Sequence, residues 1–329
     1  MDAIADDRGV IRAAAMDQRG SLRRALAEAK GVEPEGIGDE VLVEFKSGVI
    51  KTLSPYASGV LLDTDYGLPA TRARHQGVGL LLAYEQSGYD NTQPGRMTQL
   101  MPSWTVARLK QKGAEGIKLL IYYSPLEERE LNLEKQTMVQ QVGAECVEQD
   151  VPFFLEPVGY DPGGKLSRLK YARQKPEVVT ASIREFSKDQ YQVDVLKVEI
   201  PVDLHFTSGT RWSEGHETAY SHQEALALYR RAAQAARRPF IYLSAGVSST
   251  QFQQSLEMAV EAGVPFSGIL CGRATWQEGI PVYAREGLSA LEDWLSTRGV
   301  SNIQAINEIL AGACSWKDFN QQGTSPDRT

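Results

Sequence analysis

The chain is poor in cysteine and histidine, and each shortage removes a class of function. Its three cysteines, Cys146, Cys271 and Cys314, lie far apart and form no C-x-x-C pair. That argues against a disulfide scaffold or a clustered-thiol centre and reads as reduced thiols of a cytoplasmic protein. The four histidines, His75, His205, His216 and His222, show neither H-x-H nor H-E-x-x-H spacing, so a metal-dependent enzyme would lack its usual ligands. Positive charge is short as well. Lys and Arg number 35 against 42 Asp and Glu, a net charge of −7, which disfavours nucleic acid and anionic membranes as partners. No apolar run approaches the roughly 18 residues of a membrane span. The N-terminal MDAIADDRGV lacks the basic and apolar regions of a signal peptide. No G-x-G-x-x-G follows the first apolar segment, and no G-x-x-x-x-G-K-[ST] occurs anywhere.

What the chain does have is alternation. Eight short apolar segments, at 10–18, 58–67, 79–85, 116–123, 152–160, 193–202, 239–246 and 267–276, are each followed by a longer stretch with helical features. Near-continuous apolar runs suit strands covered on both faces, as in parallel sheets. Between them, residues 131–150 place Leu133, Met138, Val142 and Val147 at helical spacing. The stretch 221–236 opens with a capping-box pair, Ser221 and Glu224, and 251–263 closes on a glycine suited to a helix end. Eight such units in one chain of this size predict an α/β fold, a single (β/α)₈ TIM barrel; a doubly wound sheet would lack its phosphate-binding signature. The barrel domain is expected over 1–318, with extra C-terminal helices in 281–318 and a disordered tail over 319–329. The polar connection 203–220 is long for a βα loop and reads equally as a lid or a surface hairpin.

Parity then sorts the side chains, because alternate residues of a barrel strand face the lumen. In VDVLKVEIPV (193–202), Lys197 shares a face with Val195 and Glu199, opposite Leu196, Val198 and Ile200. A lysine in an apolar run is unusual, because an unpaired buried ammonium is expensive. The same test turns Glu156 inward with Phe154, and Lys118 with Leu120, while Asp17 closes the first strand. A salt-bridged core lysine is the plain reading of Lys197 alone; the chemical reading is a nucleophilic amine. Such an amine must lose its proton, through desolvation or a nearby cation, and Lys118 is placed to supply that cation.

Two further strand ends offer anion binding. Ser244 and Gly246 follow the seventh segment ahead of a helix, and Gly272 and Arg273 follow the eighth. Barrels commonly seat phosphate after these two strands, with arginine completing the cradle. Asp63, ending the second segment, is a substrate-binding candidate or a structural cap, and Arg72 and Arg74 are candidates for a distal anion or a solvated helix face.

These motifs in this order, from MDQRG (16–20) through LSPYASGVLLDTDYGLPAT, GLLLAYEQSGYD, VPFFLEPVGYD, DVLKVEIPV and YLSAGVS to LCGRATW, resemble the class I tagatose-1,6-bisphosphate aldolases of the LacD type. The resemblance implies a metal-independent, cofactor-free lyase that cleaves a phosphorylated ketose to dihydroxyacetone phosphate and glyceraldehyde 3-phosphate. It implies Lys197 as the Schiff-base lysine, Glu156 as the proton-transfer group, and Lys118 and Asp17 as supporting groups. Ser244, Gly246, Gly272 and Arg273 fall where the family binds a substrate phosphate, and Gln18 and Asp63 are further substrate-binding candidates. The EP and KVE-I-P segments also resemble sulfofructose-phosphate aldolases, which use the same lysine chemistry. A sugar-phosphate sensor on this scaffold would bind without turnover. Barrels of this kind often associate into homo-oligomers.

Overall fold

The computed structural model describes residues 1–322 except Asn91 and His216. Eight strands, β1 (Ile11–Met16), β2 (Gly59–Leu62), β3 (Gly79–Ala83), β4 (Gly116–Tyr122), β5 (Phe153–Val158), β6 (Val195–Val198), β7 (Phe240–Tyr242) and β8 (Gly268–Cys271), close into a barrel in chain order. All neighbouring pairs are parallel, and β8 returns to β1 through Ile11↔Gly268 to Ala14↔Cys271. The doubly wound alternative is thereby excluded.

The outer layer comprises α1 (Gly20–Lys30), α2 (Asp39–Leu53), α3 (Val106–Gln111), α4 (Arg129–Glu148), α5 (Arg168–Phe186), α6 (His222–Gln234) and α7 (Ser249–Glu261). After β8 come α8 (Arg273–Trp276), α9 (Ile280–Glu286), α10 (Leu288–Trp294), α11 (Val300–Ile309) and α12 (Trp316–Gln322). One expected helix is missing. Between β2 and β3 the chain makes only a short 3₁₀ turn at Pro69–Ala73, because glycines and a proline interrupt the stretch, and α2 packs against that turn. The tail was expected to lose order from 319. Instead α12 runs to Gln322 and Phe319 stacks edge-on against Phe240, while 323–329 lie outside the described residues.

The strand parity is that of the sequence. Leu196, Val198 and Ile200 join the large apolar layer under the helices, whereas Phe154, Val195, Ile241 and Leu270 fill the lumen with Ala13, Ala15, Leu61 and Leu81. Ile4, fully buried, plugs the N-terminal end, so the polar residues are confined to the other end. Ser221 and Glu224 form the expected capping box of α6. On α4 the expected face is right only in part: Val142 is buried, but Leu133 and Val147 are 48% and 61% exposed, and the buried stripe runs through Asn132, Lys135, Val139, Val142 and Cys146. Two polar members hide that stripe from a hydrophobic pattern, and both are paired. Asn132 donates to the Ser124 carbonyl at 2.9 Å and Lys135 to the Tyr160 hydroxyl at 2.8 Å. The two ends of the connection 203–220 are tied together. The Tyr220 hydroxyl accepts from the Asp203 N–H and donates to the Ala172 carbonyl.

Candidate active site

At the C-terminal mouth of the barrel lies a cavity of about 290 Å³, near the lower end for small-molecule sites. Asp17, Gln18, Lys118, Glu156, Lys197 and Arg273 all line it, together with Arg19, Glu85 and Tyr122. Six of the expected positions therefore meet in one place.

Lys118 is the hub. Its Nζ lies 3.0 Å from Asp17 Oδ2, 2.5 Å from Glu85 Oε1 and 2.9 Å from Glu156 Oε2. Burial opposes the Lys118 charge, but Asp17, Glu156 and Glu85 outweigh it and hold the ammonium well above its ordinary range. Lys118 thus stays charged. Glu156 Oε2 also sits 2.9 Å from Lys197 Nζ, so one carboxylate oxygen is shared by the two lysines. Burial pushes Glu156 up, yet Lys118 and Lys197 prevail and its carboxyl lies below the usual range. Asp17 behaves likewise: burial raises it, and Lys118, Lys197 and Lys46 bring it well below an ordinary aspartate. Glu156 stands between the two lysines, and Lys118 is matched by three carboxylates. Lys118 is therefore not a bare cation facing Lys197, as the sequence suggested.

Two members escaped the sequence reading. Glu85, just beyond β3, continues the inward alternation of Leu81 and Ala83, a signal that was available. Its second oxygen accepts the Leu120 N–H at 3.1 Å. Lys46 on α2 carried no such signal. Fully buried, it donates to the Met16 and Gln18 carbonyls at 2.7 and 2.8 Å, gripping the chain on both sides of Asp17. Its third partner is Asp63 Oδ2 at 2.5 Å, while Asp63 Oδ1 accepts the N–H groups of Asp65 and Tyr66. Asp63 is fully buried and does not line the cavity. Its place is the cap, not the substrate wall.

Gln18 lies on the wall and donates to Asp17 at 3.2 Å. Across the mouth, the loop after β7 turns through Ala245 and Gly246, with φ of 50° and 79°. A side chain at Gly246 would collide with Arg273, whose guanidinium carbon would sit 2.6 Å from a Cβ there. This glycine is needed for both backbone shape and close approach. Gly272 packs equally closely on the Ala15 carbonyl. Of the four residues expected after β7 and β8, Arg273 lines the cavity and Ser244, Gly246 and Gly272 do not. Arg74 does not approach the mouth, since it pairs with Glu115 at 3.4 Å. His205 and His222 pair with Asp203 and Glu261. Among the described residues, no group of three or more His, Cys, Asp or Glu side chains is arranged to hold a metal ion.

The model of the family described as DeoC/LacD family aldolase matches residues 11–278. The chain belongs to this family. It is 47% identical over 318 residues to tagatose 1,6-diphosphate aldolase 2 of Enterococcus faecalis, covering 96% of this chain and 94% of that protein. A tagatose 1,6-diphosphate aldolase of Listeria monocytogenes is 45% identical, with 96% and 92% covered. Among solved structures, the fructose-bisphosphate aldolase of Plasmodium falciparum superposes with a TM-score of 0.65 at 14% identity, covering 93% of this chain and 92% of that one. An archaeal fructose 1,6-bisphosphate aldolase gives 0.54 at 17%, with 90% and 96% covered. At such identities these two speak for the barrel alone. The protein is thus an aldolase of the DeoC/LacD family, and no helix in its described residues is long and apolar enough to cross a membrane.

Proposed function

We propose that this aldolase cleaves D-tagatose 1,6-bisphosphate through a Schiff base on Lys197, giving dihydroxyacetone phosphate and D-glyceraldehyde 3-phosphate. The observation that carries the reading is the shared oxygen of Glu156, 2.9 Å from each lysine at the base of a cavity that Arg273 also lines. The names of the relatives supply the sugar.

Proton transfer from Lys197 to Glu156 exposes the amine lone pair, which attacks the C2 ketone. The protonated Glu156 then gives its proton to the departing hydroxyl, releasing water and leaving an iminium. That cation draws the electrons of the C3–C4 bond as Glu156 takes the C4 hydroxyl proton, and the aldehyde leaves. Glu156 returns the proton to C3 of the enamine, and water hydrolyses the iminium to free Lys197. Lys118 keeps its charge throughout and holds Glu156 and Asp17 in place, while Gln18 and Asp17 meet substrate hydroxyls. Arg273 faces one phosphate, backed by the Ser244–Gly246 turn and Gly272.

Borohydride reduction in the presence of tagatose 1,6-bisphosphate, followed by peptide mapping, tests this. The expected result is label on Lys197 and cleavage that survives EDTA. Label elsewhere, or full cleavage by Lys197→Ala, would refute it. A parallel trial with sulfofructose 1-phosphate decides between the two sugar classes.

A further inference from the structure

The two residues assigned to proton transfer face one another where the backbone ladder between their strands stops. Pairing of β4 with β5 continues to Tyr122↔Val158, but β5 and β6 pair only through Phe154↔Val195 and Leu155↔Leu196. The next pair would be Glu156 with Lys197, and the rung above it would call on residue 157 for an N–H. Residue 157 is proline and has none.

A side chain closes the gap. Glu199, two residues beyond Lys197 and 8% exposed, accepts the N–H of Gly159 on Oε2 at 2.7 Å. Its other oxygen lies 3.5 Å from Lys175 Nζ on α5. Gly159 is three residues beyond Glu156, so this bond ties the two strand ends immediately above the Glu156–Lys197 contact. The fit is tight: a Cβ on Gly159 would lie 3.1 Å from Glu199 Oε2, 3.1 Å from Tyr171 Oη and 2.8 Å from a Val178 methyl. Glu199 is not among the residues that line the cavity.

We propose that Glu199 is a positioning residue, whose bond to the Gly159 N–H replaces the rung that Pro157 cannot make and sets the Glu156 carboxylate against the Lys197 nitrogen. The inference rests on the Schiff-base reading of Lys197. Misplacing a reacting group by about 1 Å can cost on the order of 100-fold in rate. Three variants test it: Glu199→Ala, Glu199→Gln and Gly159→Ala. For each, kcat, KM, melting temperature and the rate of borohydride trapping with dihydroxyacetone phosphate are compared with the parent.

Glu199→Ala is expected to lose roughly 10- to 100-fold in kcat and in trapping rate, with KM within about threefold. Glu199→Gln keeps an acceptor for the Gly159 N–H and is expected to recover most of the activity. Gly159→Ala displaces Glu199 and should resemble Glu199→Ala, which decides the matter should the latter fail to fold. Parental kcat in a folded Glu199→Ala, a glutamine variant as impaired as the alanine one, or a loss confined to KM would each overturn the proposal. Trapping with dihydroxyacetone phosphate does not depend on the sugar. A parent that traps no label therefore refutes the Schiff-base reading, whereas a parent that traps and a Glu199→Ala that traps equally fast refute this inference alone.

Discussion

Replacing Lys118 by methionine should damage the fold far more than the same change at Lys197. Lys118 faces three carboxylates at 2.5–3.0 Å, with side-chain exposures of 1% for the lysine and 6–11% for its partners. Lys118→Met leaves Asp17, Glu85 and Glu156 converging with one remaining lysine among them. Removing one partner of a buried ion pair costs about 3–5 kcal/mol, and three stranded partners put this case at the upper end. At about 2–4 °C per kcal/mol, the melting temperature should fall by roughly 10 °C or more. Lys197→Met leaves Glu156 still 2.9 Å from Lys118. Its cost should stay within about 1.5 kcal/mol, because the methionine fills the stem volume and no charge is stranded. The pH dependence adds a signature. In the parent, Asp17 and Glu156 are held below their ordinary values, so stability is present above about pH 4 and is lost as pH falls through the depressed folded-state range. Without Lys118 the buried carboxyls rise above those values, so stability should fall as pH increases from about 4 towards 7. Calorimetry of both variants at three pH values reads both effects. Equal melting temperatures for the two variants, or parallel pH slopes in parent and Lys118→Met, would refute the reasoning.

Arg273→Ala should raise KM by roughly 10- to 100-fold with a smaller change in kcat, since a charge-assisted bond to phosphate contributes about 1.5–3 kcal/mol; steady-state kinetics checks it. Burial brings Lys135 down to about 8, with Glu127 opposing and Arg96 adding to the effect. Between that value and the ordinary lysine value of about 10.4, the unfolded chain holds a proton that the folded one has lost. The contribution of Lys135 therefore makes stability rise across that window, and Lys135→Met should abolish the rise in melting curves taken at both ends of it.

The barrel was legible because strands buried on both faces leave continuous apolar runs, and any charge within such a run stands out. Lys118, Glu156 and Lys197 were each the odd residue in a strand, and a period of two assigned them to the lumen. Glu85 obeyed the same alternation at the last position of the third apolar segment, where a polar residue reads as the end of the run rather than as a charge in the lumen. Lys46 could not be found this way, because a single lysine on a helix reads as solvated; its burial depends on Asp63 and on two carbonyls of another element. The face of α4 was misjudged in part for the same reason, since the buried Lys135 has its partner in Tyr160 on another element. What the sequence hides is polar burial whose partner lies on another element, such as the 30 positions separating Lys46 from Met16.

That pattern also suits an acidic protein to the anionic sugar proposed above. The chain carries a net charge of −7, yet the cavity wall presents four cationic side chains, Arg19, Lys118, Lys197 and Arg273, against three anionic ones. The three carboxylates are turned onto Lys118 at the base, and Glu156 is shared with Lys197. Arg273, exposed at the rim, is left to meet what enters. Exposed charges are screened over roughly 8–10 Å at physiological salt, so the local wall, rather than the overall charge, sets the field an entering phosphate meets. The acidic residues elsewhere therefore do not close the site to a small dianion.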